Sequence, residues 1–316
     1  MLKIKKLKID PPILLAPIAG FTDPPYRKII WELGWEAAFS EMISSQALVY
    51  DNQKTWKMLD TSAKRKIFGI QLVGSRPEVM ALAAKKVSDR CDLIDINLGC
   101  PVKKIIKSVA GSALLSNPKL AEKIFKQVVA AVSIPVTIKI RTGLDAQTIT
   151  APLIAKIAEE SGISAITIHG RHRNQFYSGR VDFETILKVK QSVSIPVIGN
   201  GNIFSGAEAK KMMDETGVDG VMIARGSLGN PWLFSEIKHY LMTGEVLKRP
   251  SKEEIREVLL RHFHYMIEFY GENNGCQVMR KIAGVYFKGY PHVKDLRRRI
   301  NSLSTEEDIK ALILSL

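Results

Sequence analysis

Leu93-Ile94-Asp95-Ile96-Asn97-Leu98-Gly99-Cys100-Pro101 reads as a buried strand, Leu93 to Ile96, that stops and hands over a polar residue, a glycine and a thiol. Pro101 has a fixed φ and no N–H, so it ends a strand ladder. Gly99 lets backbone come close to something large. Cys100 therefore stands at the carboxyl end of a strand, which in barrels and open α/β sheets is where ligands and chemistry sit. Alone, the segment is equally compatible with a structural cysteine in a core, since free Cys is among the most buried residue types.

Working outward, seven more short apolar runs share this character: Ile13-Leu15, Ala37-Ser40, Ile67-Leu72, Val136-Ile140, Ala165-Ile168, Val197-Gly199 and Gly220-Ile223. Between them lie helical patterns at Pro24-Leu33, Pro77-Asp89, Pro118-Val132, Thr150-Ser161, Phe183-Ser192 and Gly206-Thr216. Apolar strands alternating with helices call for parallel pairing with both faces covered. Eight units in about 240 residues is the size of a (β/α)₈ TIM barrel. Ser133-Ile134-Pro135-Val136 and Ser194-Ile195-Pro196-Val197 look like one turn used twice, as a barrel would use it. A doubly wound open sheet would want a glycine-rich first turn, and Ala16-Pro17-Ile18-Ala19-Gly20 is no G-x-G-x-x-G. After Tyr240 only helices are expected, at about 252–271, 274–288, 292–301 and 305–315, the first opened by the capping box Ser251-Lys252-Glu253-Glu254. Residues 1–243 form a catalytic barrel domain and 244–316 a small all-helical domain in this reading, with Tyr286, Phe287 and Tyr290 in the latter's core.

The chain has 316 residues, 46% apolar and 25% charged, within the range of globular proteins, and no apolar run of transmembrane length. The prolines and Asp23 that break the N-terminal apolar stretch argue against a signal peptide. Cys91, Cys100 and Cys276 have no C-x-x-C spacing, so neither zinc nor a disulfide framework is implied, and a reduced, cytoplasmic protein is expected. Lys and Arg total 46 against 32 Asp and Glu, a net charge of +14, which makes a polyanion such as nucleic acid the default partner.

In a closed barrel the residues just past each strand converge on one mouth. They are Ala16-Pro17-Ile18, Glu41-Met42, Gln71, Asn97 with Cys100, Lys139 with Arg141, His169 with Arg171, Asn200-Gly201-Asn202 and Ala224-Arg225-Gly226. The last two are small turns after strands seven and eight, where barrel enzymes cradle a phosphate. Gln71, Asn97 and Lys139 lie deeper and suit a flat heteroaromatic with carbonyl and N–H edges. FMN satisfies both ends, with Lys139 by its pyrimidine edge. A phosphorylated sugar is the alternative, though it leaves Cys100 and Gln71 idle.

These residues carry a resemblance. Ala16-Pro17-Ile18-Ala19-Gly20-Phe21-Thr22-Asp23, Ser40-Glu41-Met42, Asp95 to Pro101, Ala110-Gly111-Ser112-Ala113-Leu114-Leu115, Lys139-Ile140-Arg141-Thr142-Gly143, Thr167-Ile168-His169-Gly170-Arg171 and Gly229-Asn230-Pro231-Trp232 make the chain resemble the tRNA-dihydrouridine synthases, most of all the bacterial B-type group, over its whole length. Ile18 stands where methionine is usual, and Asn202 where an aspartate is expected. The resemblance implies an FMN- and NADPH-dependent enzyme that reduces the C5–C6 bond of a D-loop uridine in tRNA, with Cys100 supplying the C5 proton. It implies cofactor contacts from Ala16, Pro17, Ile18, Ala19, Gln71, Lys139, His169, Asn200, Gly201, Asn202, Ala224 and Arg225. It places substrate on Asn97, Arg141 and Arg171 near the base, Lys103 and Lys104 on the loop after Cys100, and Arg280, Arg297 and Arg298 on the helical domain. A monomer is expected. Two rival classes stay open: an FMN barrel reductase of a free pyrimidine, which leaves the charge and helical tail unexplained, and a non-catalytic RNA-binding barrel, which leaves Cys100, Lys139 and Gln71 unused.

Overall fold

The computed structural model describes residues 1–60, 66–288 and 293–315. Strand β1 (Leu2–Ile4) and strand β2 (Leu7–Ile9) form an antiparallel hairpin. Eight further strands follow: β3 (Ile13–Leu15), β4 (Ala37–Ser44), β5 (Ile67–Val73), β6 (Leu93–Leu98), β7 (Val136–Arg141), β8 (Ala165–His169), β9 (Val197–Asn200) and β10 (Gly220–Ile223). They pair in parallel in sequence order, and β10 closes onto β3, so the expected (β/α)₈ barrel is present.

The helices begin where the sequence offers a start. Pro24, Pro77 and Pro118 occupy first turns, where a missing N–H costs nothing. Asp23, Asn117, Asp182 and Ser205 cap their helices through side-chain oxygens. Outward residues such as Ile94, Ile96, Leu98, Ile138, Ile140, Ile166 and Ile168 pack under the helices. Inward residues at the lower end, Leu14, Ala37, Phe39, Leu93, Ala165, Ile198 and Met222, form a separate cluster that the hairpin residues Leu2, Ile4 and Ile9 plug. Gly69 makes room in that interior: a Cβ there would lie 2.5 Å from a ring carbon of Phe39.

The C-terminal part is helical: Lys252–Tyr270, Glu272–Tyr286, Val293–Asn301 and Glu306–Leu314. Ser251 and Glu254 make the expected capping box, with hydrogen bonds of 2.7 and 3.2 Å. These helices share a core that includes Tyr286 and Phe287 and reaches the barrel through Ile29 of the Pro24–Glu32 helix. Tyr290 lies outside the described residues.

Three differences from the sequence reading have physical causes. Most barrel strands run one to four residues further than the apolar runs, because their polar ends still pair: Asn97 with Lys139, and Arg141 with His169. The hairpin was not expected, nor were the short helices Ser45–Val49 and Gln53–Lys57. Lys103, Lys104 and Lys107 sit on a five-residue helix, Lys103–Lys107, rather than on a loop, and all three are exposed. Among the described residues no helix is long and apolar enough to cross a membrane.

Candidate active site

Strand alternation builds the site. Along β6, Leu93, Asp95 and Asn97 lie two residues apart, so they climb one face of the strand into the barrel. The same period raises Thr137, Lys139 and Arg141 on β7, Thr167 and His169 on β8, Gly69 and Gln71 on β5, and Ile198 and Asn200 on β9. The interior is thus apolar below and polar above. At its top lies a cavity of about 420 Å³ that holds Cys100 and every residue expected to touch cofactor.

The floor is a directional hydrogen-bond chain. The Asp95 carboxylate accepts from Thr137 Oγ1 at 2.7 Å and from Gln71 Nε2 at 2.7 Å. Gln71 is thereby turned with its carbonyl outward, and that oxygen accepts from Asn97 Nδ2 at 2.8 Å. Asn97 then has its own oxygen free to accept from the backbone N–H of Gly99 at 3.1 Å and of Cys100 at 3.0 Å. Burial raises the Asp95 carboxyl to about 6, against its hydrogen bonds from Gln71 and Thr137 and the Lys139 charge. Lys139 donates to Asn200 Oδ1 at 3.0 Å and opens onto the cavity. Burial, helped by the Arg141 charge, lowers its ammonium to about 8, with Asp95 opposing.

Cys100 is held from both sides. Its carbonyl accepts from Ser112 N at 3.2 Å and Ser112 Oγ at 2.8 Å. Gly111 has φ +60°, and a Cβ there would lie 3.1 Å from Cys100 Cβ and 2.9 Å from an Ile105 methyl, so the chain returning beside the thiol requires glycine. Burial pushes the thiol up from its ordinary value, against the Val102 N–H and the Arg141 charge. The sulfur is therefore protonated at neutral pH, the state of a proton donor rather than of a thiolate nucleophile.

The opposite side of the cavity is made of the turns Asn200–Asn202 and Ala224–Gly226. A Cβ on Gly226 would lie 2.2 Å from the Ile203 carbonyl oxygen, so that turn accepts no side chain. Asn202 Oδ1 accepts from Arg225 at 3.2 Å and from Arg171 at 2.9 Å. His169 is neutral: burial and the charges of Lys139, Arg141, Arg171 and Arg225 hold it well below its usual range. Arg171 approaches its Nε2 at 3.3 Å and can only donate, so the ring proton sits on Nδ1.

Not every expected contact is at the cavity. Arg171 is buried, and its donors reach Ser178 O, Gly179 O, Asn202 and His169, so it braces the loop after β8 and does not line the cavity. Arg141 does line the cavity, while donating to Gly99 O at 2.8 Å and to Phe176 O at 2.8 Å. Lys103 and Lys104 follow the rim residue Val102. Arg280, Arg297 and Arg298 are away from the cavity. Arg297 donates to Gly284 O at 3.0 Å and packs its stem on that glycine, Arg298 pairs with Asp295 at 2.8 Å, and Arg280 is half-buried. Conversely, the cavity includes Phe21, Tyr177, Phe204 and Leu228, which the sequence reading did not single out. Tyr177 stands between two guanidiniums, with Arg141 5.6 Å and Arg225 5.3 Å from its ring.

Residues 14–315 match the profile of the family described as Dihydrouridine synthase (Dus). The tRNA-dihydrouridine synthase B of Xanthomonas axonopodis pv. citri is 40% identical over 312 residues, covering 98% of this chain and 94% of that one. That of Shewanella oneidensis is 42% identical over 302 residues, covering 95% and 94%. Among solved structures, morphinone reductase in complex with tetrahydroNAD superposes with a TM-score of 0.55 at 14% identity, over 80% of this chain and 92% of that one, a likeness of fold. A near full-length match, together with 40% identity to proteins of nearly the same length, leaves one assignment: the chain belongs to the dihydrouridine synthase family.

Proposed function

We propose that this protein is a flavin-dependent tRNA-dihydrouridine synthase that uses FMN and NADPH to reduce the C5–C6 double bond of a D-loop uridine. The observation that carries the reading is one cavity that brings the Cys100 thiol beside a polar floor of Gln71, Asn97 and Lys139. FMN fits this lining. Lys139 offers a donor, and Gln71 its outward carbonyl as an acceptor, to the carbonyl and N–H edge of a flat heteroaromatic. Ala16, Pro17, Ile18 and Ala19 offer an apolar wall. The Asn200–Asn202 and Ala224–Gly226 turns, with Arg225 beside them, offer backbone N–H groups and positive charge for a phosphate.

FMN, when bound, would supply a hydride for C6 of the uracil, its two electrons coming from NADPH. Cys100 contributes the proton for C5, and a thiol near its ordinary pKa or above can donate and be reset by solvent. Asn97 holds the Cys100 N–H and so fixes where that sulfur points. Arg141 and Tyr177 face the space a uracil would enter, beside the thiol. The base has to leave the RNA stack to reach it. The net charge of +14 suits a polyanionic substrate. In this reading the protein is a monomer that acts on tRNA in the cytoplasm.

Anaerobic rapid mixing tests the reading. NADPH should bleach the flavin absorbance of the loaded protein, and unmodified tRNA should restore it. Reoxidation by free uridine as fast as by tRNA would favour a small-molecule reductase, and a protein that takes up no FMN would remove the flavin.

A further inference from the structure

We propose that Glu41 and Asp23, with Tyr270 from the C-terminal helices, are positioning residues that hold the Ala16–Thr22 loop in the shape that receives the cofactor. The inference rests on the flavin reading above. It extends that reading to groups outside the cavity and ties the helical part of the chain to the cofactor site.

Ala16, Pro17, Ile18, Ala19 and Phe21 line the cavity through a loop whose backbone bonds tie Ala16 N to Ile223 O at 2.7 Å and close one turn, from Phe21 N and Thr22 N to Ile18 O at 3.1 and 3.0 Å. Side chains fix where that turn sits. Thr22 closes the loop on itself, accepting from Ile18 N at 2.9 Å and donating to Ile18 O at 3.2 Å. Glu41 reaches it from a bulge in β4, where the register shifts between Phe39 and Met42. The bulge sends Met42 to the cavity and lets Glu41 Oε1 accept from Gly20 N at 2.5 Å. Gly20 has φ +77°, so the turn it makes is open only to glycine or at a strain cost.

The loop is anchored next by Asp23. Oδ1 accepts from Tyr26 N at 2.9 Å and caps the Pro24–Glu32 helix, while Oδ2 accepts from the Tyr270 hydroxyl at 2.8 Å. Tyr270 is the last residue of the Lys252–Tyr270 helix, 247 residues away in sequence. Buried Arg27 completes the cluster by donating to Thr22 O at 2.7 Å and to Asp60 O at 3.0 Å. The charged and titratable groups facing this point are Asp23, Glu41, Arg27 and Tyr270, with Asp60 beside Arg27 and the buried hydroxyls of Tyr26 and Tyr286 behind Asp23. Two buried carboxylates around one guanidinium are costly to desolvate. What they provide in return is a loop fixed at Thr22, Gly20 and Asp23.

Tyr265 gives an internal control. It lies on the same helix, and its hydroxyl makes the same kind of bond to Glu32 at 2.7 Å, at the far end of the Pro24–Glu32 helix from the loop. The test is the FMN dissociation constant of the full chain, read by flavin fluorescence, with a melting temperature for each variant. A hydrogen bond to a charged group is worth enough that Tyr270→Phe should weaken FMN about tenfold. Glu41→Ala should do the same, and Glu41→Gln, which keeps an acceptor for Gly20 N, should recover most of it. Tyr265→Phe should bind FMN as the wild type does. Equal weakening by Tyr270→Phe and Tyr265→Phe would mean general loss of docking and would overturn the proposal, as would wild-type affinity in Tyr270→Phe and Glu41→Ala. A wild type that binds no FMN would instead overturn the flavin reading, and this inference with it.

Discussion

The chain Asp95–Gln71–Asn97–Cys100 has a polarity, and Asp95→Asn should reverse it. Asp95 can only accept when ionised, which forces the Gln71 amide group toward it and the Gln71 carbonyl toward Asn97. The Thr137 hydroxyl donates to Asp95 at 2.7 Å, and its other acceptor, Ile94 O, is 3.4 Å away, so an asparagine keeps its carbonyl on Thr137 and presents an N–H₂ to the Gln71 N–H₂ unless Gln71 flips. A flipped Gln71 then presents N–H₂ to Asn97, which flips in turn and withdraws its oxygen from the N–H groups of Gly99 and Cys100. Two hydrogen bonds at about 1 kcal/mol each are lost where the thiol is aimed. If that loss falls on the transition state, uridine reduction slows by about 30-fold. The assay is single-turnover dihydrouridine formation from pre-reduced protein and tRNA. The double variant Asp95→Asn/Gln71→Glu restores the polarity, because a glutamate accepts from both neighbours, and it should recover most of the rate. A single variant within twofold of wild type, or a double variant slower than the single, would refute the directional argument.

Cys100→Ala should keep its flavin and its oxidation of NADPH while uridine reduction falls about 10² to 10⁴-fold, the usual contribution of a general acid; Cys91→Ala and Cys276→Ala, both at buried sites, should leave single-turnover rates near wild type. tRNA affinity should fall by about 10² or more between 50 and 200 mM salt. Arg298→Ala/Arg299→Ala should flatten that dependence without changing NADPH oxidation, as read by filter binding across salt. Burial raises Asp23 from 3.8 to about 6, so the native state holds its proton more tightly than the unfolded chain does. Its contribution is full below about pH 4 and is lost as pH rises through 6. Asp23→Asn should therefore melt higher relative to wild type at pH 7.5 than at pH 5, and an equal difference at both would count against the assignment.

The barrel was legible because each β-strand is a short apolar run bounded by turn residues, and the C-terminal helices because Ser251-Lys252-Glu253-Glu254 announces a start. The upper strand ends were cut short because Gln71, Asn97, Lys139 and His169 look like loop residues, whereas in a barrel the inward face at the mouth is polar while the ladder continues. The hairpin's signal lies in its alternation: Leu2-Lys3-Ile4 and Leu7-Lys8-Ile9 alternate strictly, burying Leu2, Ile4 and Ile9 and exposing lysines, but each run is only three residues long. Arg171 looked like a ligand because a cation at a strand end faces the mouth, but its partners Ser178 and Gly179 come from a loop whose path no periodicity reveals. Phe176-Tyr177 in an otherwise polar loop was the available hint for the aromatic rim. Glu41 and Asp23 stand in motif segments of the sequence, yet their partners Gly20 and Tyr270 are long-range contacts that only the folded chain supplies.

Nucleoside mass spectrometry of unmodified tRNA, incubated with FMN-loaded protein and NADPH, tests the proposed chemistry most directly. Dihydrouridine should appear at one D-loop position with the wild type, require NADPH, and be nearly absent with Cys100→Ala. Uridine left unreduced by a folded, flavin-loaded wild type, or dihydrouridine formed as fast by Cys100→Ala, would contradict it.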